Sequence, residues 1–520
     1  MRRQSGWRMV PLSALFLERG GIVINMEKLV ETRYGKIEGF EENGLLKFLG
    51  IPYAAQPAGD LRWKRARECP AWDGILQATE YGEVAWQDDK EILQGGDNCL
   101  TVNIVRPPEG EKLPVFVWIH GGGYMCGSCS DTLYHGDSFA RDGVIYVNFQ
   151  YRLNVLGFFD FSTYPGCENI ESNRGLSDMI MALKWIHENI AAFGGDPERV
   201  TIAGESAGGA AVVTLMAVPS VRGYFGQVIA ESALCNCVMT PQMQRKNVDL
   251  FLEGMGWSPK ELPEKLYTTH PFDMIKGARY QERVHQYRYP GIFEPGPVID
   301  DLLPERPIDA IRKGCAKGVK LIIGNNLHEG TMFVHPENTG FPNSWEMIHE
   351  MFEKNGNLDG YEAIRDYYDD LAKEEKYGDP FVHFATDYVW EMPSIKAAQA
   401  QSEHADTWMY RFEYMSRFAR ETGMLVTHAF ELPCVFGVKE HEFSQVFFDG
   451  ETEEDADRII DDLHRPWVNF TKYGAPLPEE WPKFEGDLPP VRIFDHHTRT
   501  ERLDRTKLMQ VWGDMRFYED

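Results

Sequence analysis

Gly204-Glu205-Ser206-Ala207-Gly208 sets a serine among small residues, where the β-leaning run Arg199–Ala203 gives way to the apolar, helix-compatible Ala210–Met216. A chain that turns from strand to helix within a few residues needs small neighbours. It lifts the serine hydroxyl clear of the sheet edge, onto a helix N-terminus whose dipole favours nearby negative charge. Such a serine can attack a carbonyl if a base takes its proton and donors hold the resulting oxyanion.

A second segment can supply those donors. Leu113–Ile119 is an almost unbroken apolar run, as expected of a parallel strand buried on both faces, and it ends in His120-Gly121-Gly122-Gly123-Tyr124. A glycine triplet by itself is a flexible turn. Behind a buried strand and upstream of the serine turn, it resembles the HGGG oxyanion motif of lipases and esterases. Gly122 and Gly123 are the expected donors, with Ala207, the residue after the serine, as the third. Where this arrangement occurs, the chain order is Ser, then Asp or Glu, then His. After the strand-like Gly318–Gly324 comes Asn325-Asn326-Leu327-His328-Glu329-Gly330, and after the alternating Thr407–Tyr414 the next histidine is His428. His404 precedes that strand, and His496 and His497 lie in a polar stretch.

With these residues goes a longer series of motifs in order. They include Gly50-Ile51-Pro52-Tyr53-Ala54, Asp97–Ile104, Asn148–Arg152, Asn173–Asp178, Phe193–Pro197 and the complete Gly204–Gly209 elbow. His428-Ala429-Phe430-Glu431-Leu432-Pro433 with Phe436-Gly437, and Trp467-Val468-Asn469-Phe470 with Gly474 and Pro476, complete the series. From about Leu29 to near its C-terminus the chain resembles the type-B carboxylesterases, which include bacterial para-nitrobenzyl esterases, animal carboxylesterases and cholinesterases. The resemblance implies an α/β-hydrolase fold: a mostly parallel central sheet flanked by helices, with helical insertions roofing the site. It makes Ser206 the nucleophile, Glu329 the acid and His428 the base of a serine carboxylesterase, acting on short-chain aryl and alkyl esters without a cofactor or metal. Glu205 and Ser232 are expected behind the triad; Ser232 stands in Glu231-Ser232-Ala233 where the family usually has Q-S-G. His328 stands where the family usually has an acidic residue. Arg62 with Asp97 and Arg152 with Asp178 are expected as structural ion pairs. Competing readings are an amidase using the same triad, or a non-catalytic binding protein, as in family members that have lost the serine.

The chain has 520 residues, 43% of them hydrophobic, enough for a large core. It reads as one catalytic unit over 29–520, with helical insertions near 243–283 and 343–400. Residues 1–28 are expected to be a disordered extension or to lie upstream of the true start. No run approaches the roughly 18 apolar residues of a membrane span. A net charge of −27 disfavours nucleic acid and anionic membranes. The expected partner is a small-molecule ester, and a monomer is favoured. Nine cysteines is an odd count, and the residue facing Cys99 in the family's disulfide falls near Ala85. Free thiols, Cys126 and Cys129 included, are expected, as in a bacterial cytoplasmic enzyme. The sequon Asn469-Phe470-Thr471 lies in a segment expected to pack as helix. The base has to be neutral, so activity is expected to fall on acidification through a pKa within about a unit of 6.5.

Overall fold

The computed structural model describes residues 9–10, 28–89, 92–335, 340–374, 378–477, 479–486 and 488–518. Its main element is an eleven-stranded sheet. Numbered along the chain, the strands are β1 (Phe40–Glu42), β2 (Leu45–Pro52), β3 (Thr101–Arg106), β4 (Leu113–Ile119), β5 (Ile145–Phe149), β6 (Gly195–Glu205), β7 (Gln227–Glu231), β8 (Lys320–Asn326), β9 (Thr407–Phe412), β10 (Pro490–Phe494) and β11 (Arg499–Arg502). They lie side by side in the order β11-β10-β9-β8-β7-β6-β4-β5-β3-β2-β1. From β5 across to β10 every pairing is parallel, and the pairings at both edges are antiparallel. This is the α/β-hydrolase sheet that the motifs imply.

The apolar runs of the central strands follow from burial on both faces. Along β4, Val115, Val117 and Ile119 enter one core, and Phe116 and Trp118 enter another on the opposite face. Side chains alternate across a strand, so a strand covered on both sides has no polar position to offer. Parallel neighbours also carry their C-terminal ends to one edge, which brings the residues after β4, β6, β7 and β8 together.

The expected insertions are helical. The first holds Pro241–Met255, Leu262–Thr268 and Pro271–Arg288. The second holds Trp345–Lys354, Leu358–Glu374, Pro380–Thr386, a π turn at Asp387–Glu391, and Met392–Ser402. The π turn runs directly into Met392-Pro393, where proline has no N–H for a regular helical bond. The sequon lies inside helix Glu453–Tyr473, with Phe470 and Thr471 buried, so it presents no open acceptor.

Met9–Val10 pairs antiparallel with Ile75–Gln77, Met9 opposite Leu76 and Val10 opposite Ile75. Edge pairing uses backbone groups and needs no apolar periodicity. Residues 1–8 and 11–27 lie outside the described residues. Among the described residues no helix is long and apolar enough to cross a membrane.

Candidate active site

Ser206 joins β6 to helix Ala207–Ala217 at φ 59° and ψ −121°. A serine rarely adopts positive φ, and here the elbow's packing imposes it. A Cβ on Gly208 would lie 2.0 Å from the Ile119 carbonyl oxygen, and one on Gly204 2.6 Å from the Gly208 backbone. The glycines thus let the new helix pass directly over β4. The turn is pinned on its other side by the Ser206 N–H donating to the Glu231 carbonyl at 3.0 Å.

The glycine triplet after β4 lies against this turn, since a Cβ on Gly121 would sit 3.1 Å from Ser206 Cβ. Gly122 and Gly123 have φ of 101° and 61°. Among the described residues, the N–H groups of Gly122, Gly123 and Ala207 donate no hydrogen bond. His120 turns away from this edge: it is buried, stacks on Tyr151 at 4.5 Å, and burial lowers its pKa to about 4.

The loops after β8 and β9 bring the expected acid and base together. His328 N–H donates to the Val426 carbonyl at 2.9 Å, and Asn326 Nδ2 to the Thr427 carbonyl at 2.9 Å. Tied in this way, Glu329 Oε2 lies 2.5 Å from His428 Nδ1. Glu329 Oε1 accepts from Asn326 N–H at 2.6 Å and from Ser232 Oγ at 2.6 Å. Ser232 is therefore hydrogen-bonded to Glu329. His428 Nε2 lies 3.0 Å from Glu205 Oε1. The Ser206 hydroxyl forms no hydrogen bond among the described residues; such bonds often tighten only with substrate present.

Sequence reasoning missed how many carboxyls share this space. Glu205, Glu231, Glu329 and Glu431 are all buried. Burial lowers the His428 pKa, but the carboxylates of Glu205 and Glu329 outweigh it and raise the value to about 9. This corrects the expectation of a value near 6.5. Burial raises the Glu205 pKa against the pull of His428, and the neighbouring carboxyls of Glu431 and Glu329 raise it further. Glu231 and Glu431 both stand in quoted motifs, but nothing in the sequence brings their side chains to one point.

An aromatic wall covers the base. Phe333 and Trp390 contact the His428 ring at 5.2 Å and 5.1 Å, and Phe341 stacks on both. Trp390 comes from the π turn of the second insertion, so that insertion does cover the site. His328 is buried, and burial, His383 and Arg411 lower its pKa to about 3. It is neutral.

A family model described as the carboxylesterase family matches residues 26–512. The chain belongs to that family. It is 34% identical over 488 residues to the para-nitrobenzyl esterase of Bacillus subtilis, covering 91% of this chain and 96% of the relative. It is 30% identical over 507 residues to a cholinesterase of Mus musculus, covering 88% and 81%. A solved PNB esterase superposes with a TM-score of 0.82 at 33% identity, covering 93% of this chain and 99% of that one. A Geobacillus stearothermophilus carboxylesterase gives 0.80 at 30% identity, covering 94% and 100%. As a carboxylesterase the protein is a carboxylic ester hydrolase.

Within the carboxylesterase frame the two expected ion pairs form. Arg152 meets Asp178 through Nε at 2.8 Å and Nη2 at 2.6 Å, both residues buried, and Arg62 meets Asp97 at 2.9 Å. The described cysteines are free, Cys99 included. Trp86 donates its indole N–H to Asp97 at 2.8 Å and packs edge-on against His270 and Phe272, so its ring is already occupied. Cys126 Sγ points to the Gly122 carbonyl at 3.6 Å, and Cys129 Sγ accepts from Asn103 at 3.3 Å.

Proposed function

We propose that this carboxylesterase works by two-step acyl transfer on Ser206, with His428 as base and Glu329 as acid. His428 Nε2 takes the Ser206 proton while Oγ bonds to the ester carbonyl carbon. The carbonyl electron pair moves onto oxygen, where the N–H groups of Gly122, Gly123 and Ala207 receive it. Collapse breaks the bond to the alkoxy group, which leaves with the proton from Nε2. Water then repeats the attack with His428 as base, releasing the acid and regenerating Ser206. Glu329 orients the imidazole and stabilises its cation through Nδ1. The observation that carries this reading is the 2.5 Å contact between Glu329 and His428 on loops that end beside the Ser206 elbow.

Glu205, the residue before the nucleophile, meets the base. Its carboxylate, 3.0 Å from Nε2, raises the basicity of the ring, and Nε2 must turn from it to reach Ser206. Short-chain aryl and alkyl esters are the proposed substrates, in keeping with the similarity to a para-nitrobenzyl esterase. The free cysteines support work in a reducing compartment, the cytoplasm. Ser206→Ala in the folded protein is expected to lower ester turnover by on the order of 10⁴-fold. Turnover within about tenfold of wild type would refute the nucleophile.

A further inference from the structure

Ser232 follows β7, is fully buried, and lies between two glutamates. Its Oγ is 2.6 Å from Glu329 Oε1 and 3.3 Å from Glu431 Oε1. A serine hydroxyl has one proton to donate. The shorter contact takes it, so the longer one is a hydrogen bond only if Glu431 brings the proton.

The other side of Glu431 agrees. Its Oε2 accepts from Asn326 Nδ2 at 2.6 Å. That amide is not reversible, because the same Nδ2 donates to the Thr427 carbonyl at 2.9 Å. Two donors reach the Glu431 carboxyl, Asn326 Nδ2 at Oε2 and its own backbone N–H, while Oε1 also faces the Ser232 oxygen, whose proton lies toward Glu329. The Oε1 contact is the pattern of a carboxylic acid; a carboxylate would want donors at both oxygens.

The charges nearby favour the same form. Glu205 at the end of β6, Glu231 at the end of β7 and Glu329 after β8 act electrostatically on this cluster, with Tyr410 of β9 and Cys434 one turn on. Among these groups only His428 can become a cation. Four buried negative charges around one imidazole would repel strongly at low effective dielectric. Burial and the nearby Glu329 raise the pKa of the Glu431 carboxyl, which favours its protonated form.

We infer that Glu431 is a neutral carboxylic acid that donates its proton to Ser232 and thereby holds the Ser232 hydroxyl on Glu329. The chain is Glu431 O–H to Ser232 Oγ, Ser232 O–H to Glu329 Oε1, and His428 Nδ1–H to Glu329 Oε2. Glu431 is a positioning residue: it touches no reacting atom, and it fixes the lone pairs that the triad acid presents to the base. No proton has to travel along the chain; its role is to be directional. This rests on the reading of Glu329 as the triad acid.

Two kinds of readout test it. Glu431→Gln replaces the acid with a neutral group that can still donate to Ser232 and accept from Asn326. Its kcat/KM should stay within about threefold of wild type, with the acid limb of the pH profile moved by less than about 0.3 unit. Glu431→Leu, which has neither bond, should lose about tenfold or more in kcat with KM little changed. Loss of a buried anion would instead move the Glu431→Gln acid limb down by more than about one unit, overturning the inference. Infrared difference spectra of wild type minus Glu431→Gln at neutral pH should contain the C=O band of an un-ionised carboxylic acid. Carboxylate bands alone would overturn it. Ser232→Ala, which keeps Glu431, should move that band to higher frequency by removing its acceptor, and an unmoved band would overturn the bond. The infrared result does not depend on turnover. A wild type without Ser206-dependent hydrolysis would defeat the proposed mechanism and leave the protonation of Glu431 standing on its own result.

Discussion

Glu205→Gln gives the sharpest view of how the buried carboxyls tune the base. Glu205 Oε1 lies 3.0 Å from His428 Nε2, with both side chains shielded from water. Charge is spread over each group, so we take the charge centres as roughly 4 Å apart, where an effective dielectric of about 20 gives about 4 kcal/mol. At 1.36 kcal/mol per pKa unit, that is a ceiling of about 3 units. The realised effect is smaller, because burial and the neighbouring carboxyls raise Glu205 itself and so reduce its charge. The sign is set by His428, which must be neutral to accept the Ser206 proton, so activity is lost as pH falls through its raised pKa. Removing the anion lowers that pKa, and the variant keeps working in more acid solution than wild type. The assay is kcat/KM for an uncharged ester across the pH range, which reports the free enzyme. We expect the acid limb to move down by about 1–3 units. A limb that stays in place or moves up would refute the electrostatic account.

Three other outcomes follow from the same structure. Glu329→Gln should keep the fold and lose most turnover, whereas His328→Asn should cost far less, since burial keeps the His328 ring neutral and it lies beside His383; kcat/KM of the two variants decides the order. Asp178→Ala leaves Arg152 buried without its partner and should destabilise the protein by about 3–5 kcal/mol, read by urea unfolding. Butyrylcholine and its uncharged isostere 3,3-dimethylbutyl butyrate should differ by less than about tenfold in kcat/KM, roughly 1.4 kcal/mol, because Trp86 is held by Asp97, His270 and Phe272.

The parts of the site that backbone packing dictates are visible in the amino-acid sequence. Gly204 and Gly208 have no room for a Cβ, and Gly121 presses on Ser206, so each leaves a glycine at a fixed distance from the serine. The buried strands announce themselves as apolar runs for the same reason. Side-chain convergence leaves no such trace. Glu231 faces Glu205 only because β6 and β7 pair in that register. Glu431 reaches Ser232 only because the loops after β8 and β9 are bonded together. The raised basicity of His428 comes from Glu205 and Glu329 meeting its ring from separate strands, which no single motif reveals. Trp390 reaches the base through a π turn, a local departure from helical spacing that periodicity does not reveal.

The central claim is that an acyl group is held on Ser206, and one covalent measurement tests it directly. A fluorophosphonate reacts with an activated serine and stays bound, so digestion and peptide mass spectrometry identify the residue. We expect one label per chain, on the peptide containing Ser206, with activity lost in step and the Ser206→Ala protein unlabelled. A label on another residue, or a wild type that hydrolyses esters and takes no label, would contradict the account.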